Sequence, residues 1–260
     1  MRAYLELVRA PAALTALGDT LVGADAPLRG RRLLLPLASA ALYWAGMALN
    51  DWADRDLDAV ERPERPIPSG RISPDAALAT AIGLTGAGIG LAAAAGRNAV
   101  PLAAAVWAYD TVLKNTPAGP VAMAACRGLD VLLGGRVAVP AALMALHTFG
   151  VTALSRGEVH GTSPAVAKAV VGGTALTALT ALVATRGRYT AVAAAAAFAA
   201  SVGRAQWAVV RDPSAERVRL ATKAGIHGMV LLQSALARHG SAVVLVLPLA
   251  RALSRKVSPT

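Results

Sequence analysis

The sequence predicts an all-α, polytopic membrane protein with about nine helical spans, on three observations. Of 260 residues, 55% are in the hydrophobic set before 24 Gly are added, and only 16% are charged. Soluble chains average about 45–50% apolar with Gly included and about 25% charged. This chain is too apolar for an ordinary soluble domain, and its mean hydropathy of +0.52 agrees. Second, apolar runs long enough to span a bilayer, about 17–25 residues, recur along the whole chain. Third, those runs are rich in Ala and Gly, which suit close helix packing in lipid.

Taken in order, the runs fall near 8–27, 32–50, 75–96, 98–113, 118–136, 138–154, 165–185, 189–209 and 218–238, with a further apolar piece at 241–253 that would make ten. The first carries Asp19 and lacks a small-residue cleavage site behind it, so it reads as a retained span and not a signal peptide. The only extended polar stretch inside the chain is 51–74; shorter ones follow at Ser155–Ser163 and Arg211–Lys223. The resulting two-part rhythm is compatible with an internal repeat, although no self-match supports one. With no compositional break, residues 1–260 read as a single integral-membrane domain.

The formal charge is +11, from 26 Lys and Arg against 15 Asp and Glu. The basic residues punctuate apolar segments instead of forming a stripe with aromatics, and Phe, Trp and Tyr make up only 4%, so no nucleic-acid partner is expected. The charge suits membrane-flanking loops in contact with the lipid bilayer. A single cysteine, Cys126, excludes an internal disulfide, a Cys-based zinc site and a redox pair.

Six acidic residues (Asp51, Asp54, Asp56, Asp58, Glu61 and Glu64) lie within 14 consecutive positions. At about 100° per residue on a helix, Asp51, Asp54 and Asp58 share an arc of roughly 60°, which Asn50 extends to about 100°. Asp56 points to the opposite side. Carboxylates this close repel, and near a membrane they are costly unless a cation neutralises them. Mg²⁺ does so with oxygen ligands, commonly one or two carboxylates together with substrate phosphates. The alternative is a solvated loop of mixed charge, since Arg55, Arg62 and Arg65 interleave with the acids.

The run Asn50-Asp51-Trp52-Ala53-Asp54-Arg55-Asp56-Leu57-Asp58 resembles the NDxxDxxxD motif of the UbiA superfamily of intramembrane prenyltransferases. Residues 62–73, RPERPIPSGRIS, are similar to that family's RP-containing stretch ending in SGxIS, in the right order after the second apolar run. The resemblance implies nine helices around a central cavity and transfer of an isoprenyl chain from a prenyl diphosphate to a small-molecule acceptor. It further implies that Mg²⁺ bridges the diphosphate to Asp51, Asp54 and Asp58, with Asn50 orienting it or adding a ligand. The physics agrees, because ionising an allylic C–O bond leaves a diphosphate whose added charge must be stabilised. Arg65, Arg71 and Lys114 are candidates to contact phosphate oxygens. Lys114 closes a stretch, Tyr109–Lys114, similar to the family's Tyr-to-Lys segment, with Asn115 where a second basic residue is usual. It equally reads as a lysine snorkelling from a helix end.

The family's second acidic motif, DxxxD after the sixth helix, is not intact. In Ser155–Ser163, Glu158 is the only acid, with His160 two residues on. Glu158 reads as a ligand for a second metal, as an acceptor-activating base, or as part of an ordinary turn, and His160 as a loop residue. Arg127 and Asp130 lie where a span should be apolar, and at i, i+3 they either pair with each other or face the cavity, Arg127 toward diphosphate and Asp130 toward metal or acceptor. The wording RGLDVLLG, together with SRGEVHG, resembles the branch of the family found in ebo-type gene clusters, which implies a polar acceptor. Trp52, Tyr43, Trp107 and Tyr109 are the aromatics nearest the expected site, and interface packing explains them equally well.

Placing the 51–74 loop in the cytoplasm puts Arg55, Arg62, Arg65, Arg71, Lys114, Arg156, Arg211, Arg217, Arg219 and Lys223 on the positive-inside face, against Arg29, Arg31, Arg32, Arg186 and Arg188 opposite. The active site is therefore expected to face the cytoplasm from the cell (inner) membrane. A non-catalytic lipid-binding or transport protein on the same scaffold is the alternative. The DGx₂AR pattern of CDP-alcohol phosphotransferases is absent.

Overall fold

The computed structural model describes residues 1–10, 14–185 and 187–237. The apolar piece expected at 241–253, and Arg186, lie outside the described residues. Eleven α-helices follow one another: α1 (Arg2–Leu7), α2 (Leu14–Gly23), α3 (Leu34–Ala53), α4 (Arg55–Glu61), α5 (Pro74–Ala94), α6 (Val100–Ala108), α7 (Gly119–Gly134), α8 (Ala138–Ser155), α9 (Pro164–Ala184), α10 (Tyr189–Arg211) and α11 (Ala215–Leu236). A 3₁₀ turn at Gly30–Leu33 leads into α3, and a π-helical turn, Tyr109–Leu113, extends α6.

Each of the nine expected runs coincides with a helix. Four helical stretches are long and apolar enough to cross a membrane on their own: residues 30–53, 74–94, 138–155 and 164–184. The others are shorter or carry charges, so nine uniformly apolar spans are not what the described residues contain. Asp19 on α2 and Arg127 and Asp130 on α7 are the clearest departures, and all three prove to be held by other parts of the chain.

Successive long helices pack on one another, and α11 returns to α2, closing the arrangement; α2 also packs against α7. Small residues permit the tightest approach. A Cβ on Gly134 would lie 2.1 Å from the carbonyl oxygen of Thr20, and one on Gly23 would lie 1.8 Å from that of Val131, so α2 and α7 meet backbone to backbone.

The polar connections begin their following helices in the same way. Ser73 and Ser163 each accept a hydrogen bond from the backbone N–H three residues on (Ala76 and Val166, both 3.2 Å), and Pro74 and Pro164 occupy the first helical position. The 62–73 loop is itself folded, not a solvated tether. Ile67 and Ile72 are buried with Leu7, Leu49, Ala77 and Ala81, and Ile72 N–H donates to the Pro66 carbonyl at 3.0 Å. Gly70, at φ +71°, makes the reversal that a side-chain-bearing residue would resist. The loop thereby becomes a rigid arm projecting Arg65 toward the end of α3.

Candidate active site

The acidic motif does not lie on one uninterrupted helix. α3 ends at Ala53, Asp54 sits between helices at φ −93°, ψ 5°, and α4 begins at Arg55. The backbone bonds Asp54 N–H to Asn50 O (2.9 Å) and Asp58 N–H to Asp54 O (2.8 Å) keep the helical sense across the break. Asp51 and Asp58 consequently stay on one side, both buried, while Asp54 is turned to a different cation.

Arg65 joins the first two. Its Nη1 lies 2.5 Å from Asp58 Oδ2 and 3.3 Å from Asp51 Oδ1. Arg9, at the end of the first turn of chain, adds an Nη2 contact of 3.0 Å to the same Asp51 oxygen, and Arg62 lies 3.9 Å from Asp58. Asp54 Oδ1 pairs with Lys114 Nζ at 2.7 Å. Lys114, which follows the π-helical turn, is thus directed inward onto Asp54 and not snorkelling away from the protein.

The same turn presents Asp110, only 4% exposed, which accepts a hydrogen bond from Asn50 Nδ2 at 3.1 Å. Such one-residue insertions into a helix often occur at functional sites. Asp110 escaped the reading of the sequence, as did Arg9. The signal for both was present: an ionisable residue inside or at the edge of an apolar run, the criterion that had singled out Arg127 and Asp130.

Above this polar cluster opens a cavity of about 280 Å³, walled by α3, α6, the π turn and α7 and bounded by Arg9. One face of α3 runs along it from Asn50 through Gly46 and Leu42 to Ser39. Gly46 keeps the wall thin: a Cβ there would lie 3.0 Å from Val106 Cγ1 and 3.5 Å from Asp110 Oδ2. Ser39 and Asn50 are eleven residues apart, roughly 16 Å along the helix. The lining is mostly apolar between these polar ends.

Of the two alternatives for Arg127 and Asp130, both residues line this cavity, and no ion pair joins them to each other. The guanidinium of Arg127 pairs with Asp19 on α2, which also accepts from Gln233 Nε2 on α11 at 2.8 Å, and Asp130 accepts from Ser39 Oγ at 2.7 Å. A partner on another helix gives a better approach than the i, i+3 neighbour, and it leaves Arg127 committed to Asp19, away from the acidic motif.

Arg71 lies outside the cavity. It clasps Glu6 of α1, the Glu64 carbonyl (2.7 Å) and Ser69 Oγ (3.0 Å), and the neighbouring guanidinium holds the Glu6 carboxyl below its ordinary range. The turn containing Glu158 is tied to other loops, with the Glu158 carbonyl accepting from Arg219 Nη1 (2.7 Å) and Thr162 N–H donating to Pro213 O (3.0 Å). His160, two residues on from Glu158, is exposed. Arg156, from the same turn, reaches the carbonyls of Lys114 and Thr116, stitching the rim beside the site.

The UbiA prenyltransferase family profile matches residues 12–226. The chain belongs to the UbiA prenyltransferase family. Among curated relatives, a digeranylgeranylglyceryl phosphate synthase of Methanopyrus kandleri is 42% identical over 125 residues, covering 45% of this chain and 46% of the relative. One from Halobacterium salinarum is 34% identical over 167 residues, covering 57% and 60%. The matched part thus spans about half the length of these relatives. Among solved structures, one concerning a digeranylgeranylglyceryl phosphate synthase superposes with a TM-score of 0.68 at 18% identity, covering 92% of this chain and 97% of that one. A UbiA homologue from Archaeoglobus fulgidus bound to GPP and Mg²⁺ gives 0.60 at 16% identity, covering 94% and 99%. These two establish the fold, and family and apolar helices together make this UbiA protein an integral membrane protein.

The donor set suits Mg²⁺ in one particular way. Asp51, Asp54, Asp58, Asp110 and Asn50 offer only hard oxygen donors, but among the described residues no three acids converge on one metal position. Each carboxylate is instead partnered by Arg, Lys or Asn. This fits an ion held by one or two carboxylates with the substrate's phosphates, and not a cage made by protein alone.

Proposed function

We propose that this UbiA-family protein transfers an isoprenyl chain from a prenyl diphosphate to a hydroxyl-bearing small acceptor, releasing diphosphate, as one unit over residues 1–260. The observation that carries the reading is the alternation of acids and cations next to the cavity-lining Arg9 and Asn50: Asp51 and Asp58 around Arg65, and Asp54 on Lys114. A diphosphate with its metal needs both signs of charge within a few ångströms, and an apolar chamber beside them receives the tail. Burial of that tail is favourable by about 0.8 kcal/mol per CH₂. The relatives' name, digeranylgeranylglyceryl phosphate synthase, supports an isoprenoid donor, and the neighbour that binds GPP with Mg²⁺ supports the metal.

One or two of Asp51, Asp54 and Asp58 would hold Mg²⁺ together with the substrate's phosphates, and the ion when bound would withdraw charge from the departing diphosphate. Arg65 and Lys114 take the phosphate oxygens as substrate draws them from their carboxylate partners, and Arg9 closes the same face. The allylic C–O bond breaks with its electron pair leaving on the diphosphate. The acceptor oxygen then bonds to the freed carbon, and its proton passes to Asp110, the buried carboxylate oriented by Asn50 on the cavity wall. The basic loops favour an active site facing the cytoplasm from the cell membrane.

The test is turnover of purified protein with Mg²⁺ and a series of prenyl diphosphates, read as diphosphate release with a panel of alcohols. Release that depends on acceptor and on Asp54 supports the reading. Movement of an isoprenoid without a new covalent product would select the lipid-binding or transport alternative.

A further inference from the structure

The cavity is a shaft between three helical stretches. On α3 it runs from Asn50 to Ser39, on α6 and its π turn from Asp110 back to Leu102, and on α7 from Met123 to Asp130. Its outer end is marked by the Asn50–Asp110 hydrogen bond (3.1 Å) and its inner end by the Ser39–Asp130 bond (2.7 Å). At 1.5 Å per residue, Ser39 lies roughly 16 Å inward of Asn50, and Leu102 roughly 12 Å inward of Asp110. Below the inner end the bundle is packed solid. Leu35, Ala38, Ala99 and Leu133 are buried in one apolar cluster with Leu42 and Leu102. The carbonyls that end α7 are taken from beneath, Leu133 O by Arg97 Nε and Gly134 O by Arg32 Nη2, both at 3.0 Å.

We infer that this closed inner end limits the isoprenyl donor to three isoprene units, with Leu102 as the residue that sets the limit. Each unit adds four C–C bonds to the chain, about 5 Å when extended. With the reacting carbon beside Asn50 and Asp110, two units reach the level of Leu102 and a third ends at Ser39 and Asp130. A fourth would need about 20 Å, and close-packed side chains do not yield a space of that size without cost. The volume agrees: 280 Å³, at about 30 Å³ for a water-sized group, is nearer to ten carbon atoms than to twenty. Leu102 belongs both to the wall and to the packed cluster beneath it. Leu42 shares that position but is locked against Gly88 of α5, where a Cβ would lie 2.6 Å from Leu42 Cγ. Ser39 and Asp130 hold each other, and Arg127 is held by Asp19. The inference rests on the prenyl-transfer reading and names the donor class for it.

Leu102 is tested in both directions, Leu102→Ala to deepen the shaft and Leu102→Phe to shorten it, with thermal melts to check each fold. Binding of geranyl, farnesyl and geranylgeranyl S-thiolodiphosphates, whose bridging sulfur slows ionisation, is measured by calorimetry with Mg²⁺ in one detergent. Free ligand is corrected for its measured partition into micelles. The native chain is expected to bind the geranyl and farnesyl compounds within about fivefold of each other, and the geranylgeranyl compound at least tenfold more weakly. Leu102→Ala should bring the farnesyl and geranylgeranyl compounds to within about threefold. Leu102→Phe should weaken the farnesyl compound at least tenfold relative to the geranyl one. Native binding of the geranylgeranyl compound as tight as that of the farnesyl compound overturns the inference whatever the variants do, because the tail then leaves the shaft sideways toward lipid. A length preference that neither folded variant alters overturns it as well. If none of the three compounds binds, the prenyl-transfer reading falls and this inference with it; binding of all three alike defeats this inference alone.

Discussion

Arg65 Nη1 stands between Asp51 and Asp58, 3.3 Å from the Oδ1 of one and 2.5 Å from the Oδ2 of the other. The loop of Pro, Gly and Ile residues that carries it is therefore part of the acidic site and not a connection beside it. Removing the cation leaves two buried carboxylates with less compensation. Breaking such a pair costs about 3–5 kcal/mol, reduced here because Arg9 and Arg62 remain nearby. Arg65→Ala should lower the melting temperature and abolish diphosphate release, while Arg65→Lys should recover more stability than activity. Melting curves and diphosphate release on both variants check this.

Asp54 and Lys114 form the second acid–cation pair, joining the α3–α4 break to the π turn. Asp54→Ala and Asp58→Ala are each expected to reduce turnover by at least a hundredfold. Lys114→Met should raise the KM for prenyl diphosphate more than it lowers kcat. Unchanged turnover in both Asp variants would remove the acidic motif from the mechanism.

Gly134 and Thr20 set the α2–α7 approach, and a Cβ 2.1 Å from a backbone oxygen cannot be accommodated by turning a side chain. Gly134→Ala must push the helices apart, at a cost of about 1–3 kcal/mol or more. Monodisperse yield and melting temperature should both fall, whereas Gly83→Ala, where a Cβ meets open space, should change neither.

Glu6 and Arg71 pin the short first helix to the 62–73 loop. Arg71 holds the Glu6 carboxyl below its ordinary value of 4.5. A depressed acid stabilises the fold above the unfolded-state pKa, and that contribution disappears as pH falls through the lower folded-state value. The pair is largely solvent-accessible, so about 0–1 kcal/mol is expected. Glu6→Gln should lower the melting temperature slightly at pH 7, less at 500 mM salt, and not at all once the acid is protonated in both states. Melts across that pH range measure it.

The helical segments were legible because bilayer-length apolar runs are a coarse signal that survives Ala and Gly richness. The acidic motif was legible from spacing and resemblance. The interruption at Asp54 was not, because nothing in the local sequence marks it. Nor could periodicity reveal that Arg127 reaches Asp19 from 108 residues away while Asp130 turns to Ser39. Long-range pairings of this kind are set by which helices pack, and a charge in an apolar run announces only that a partner exists. Asp110 and Arg9 fell between these cases. Each was a visible anomaly, but the structure was needed to show that the π turn and the first loop deliver them to one chamber.

That π turn makes residues 109–113 intolerant of a change in length. An ordinary α-turn would use one residue fewer, so deleting any one of these five would let the segment wind regularly and remove the wide turn that presents Asp110 and precedes Lys114. Lys114 would swing off Asp54 even though every functional side chain was still encoded. Substitutions at the outward-facing Val112 should be absorbed far more readily than a single deletion, and an alignment with a one-residue gap here would signal a different chemistry at the chamber mouth.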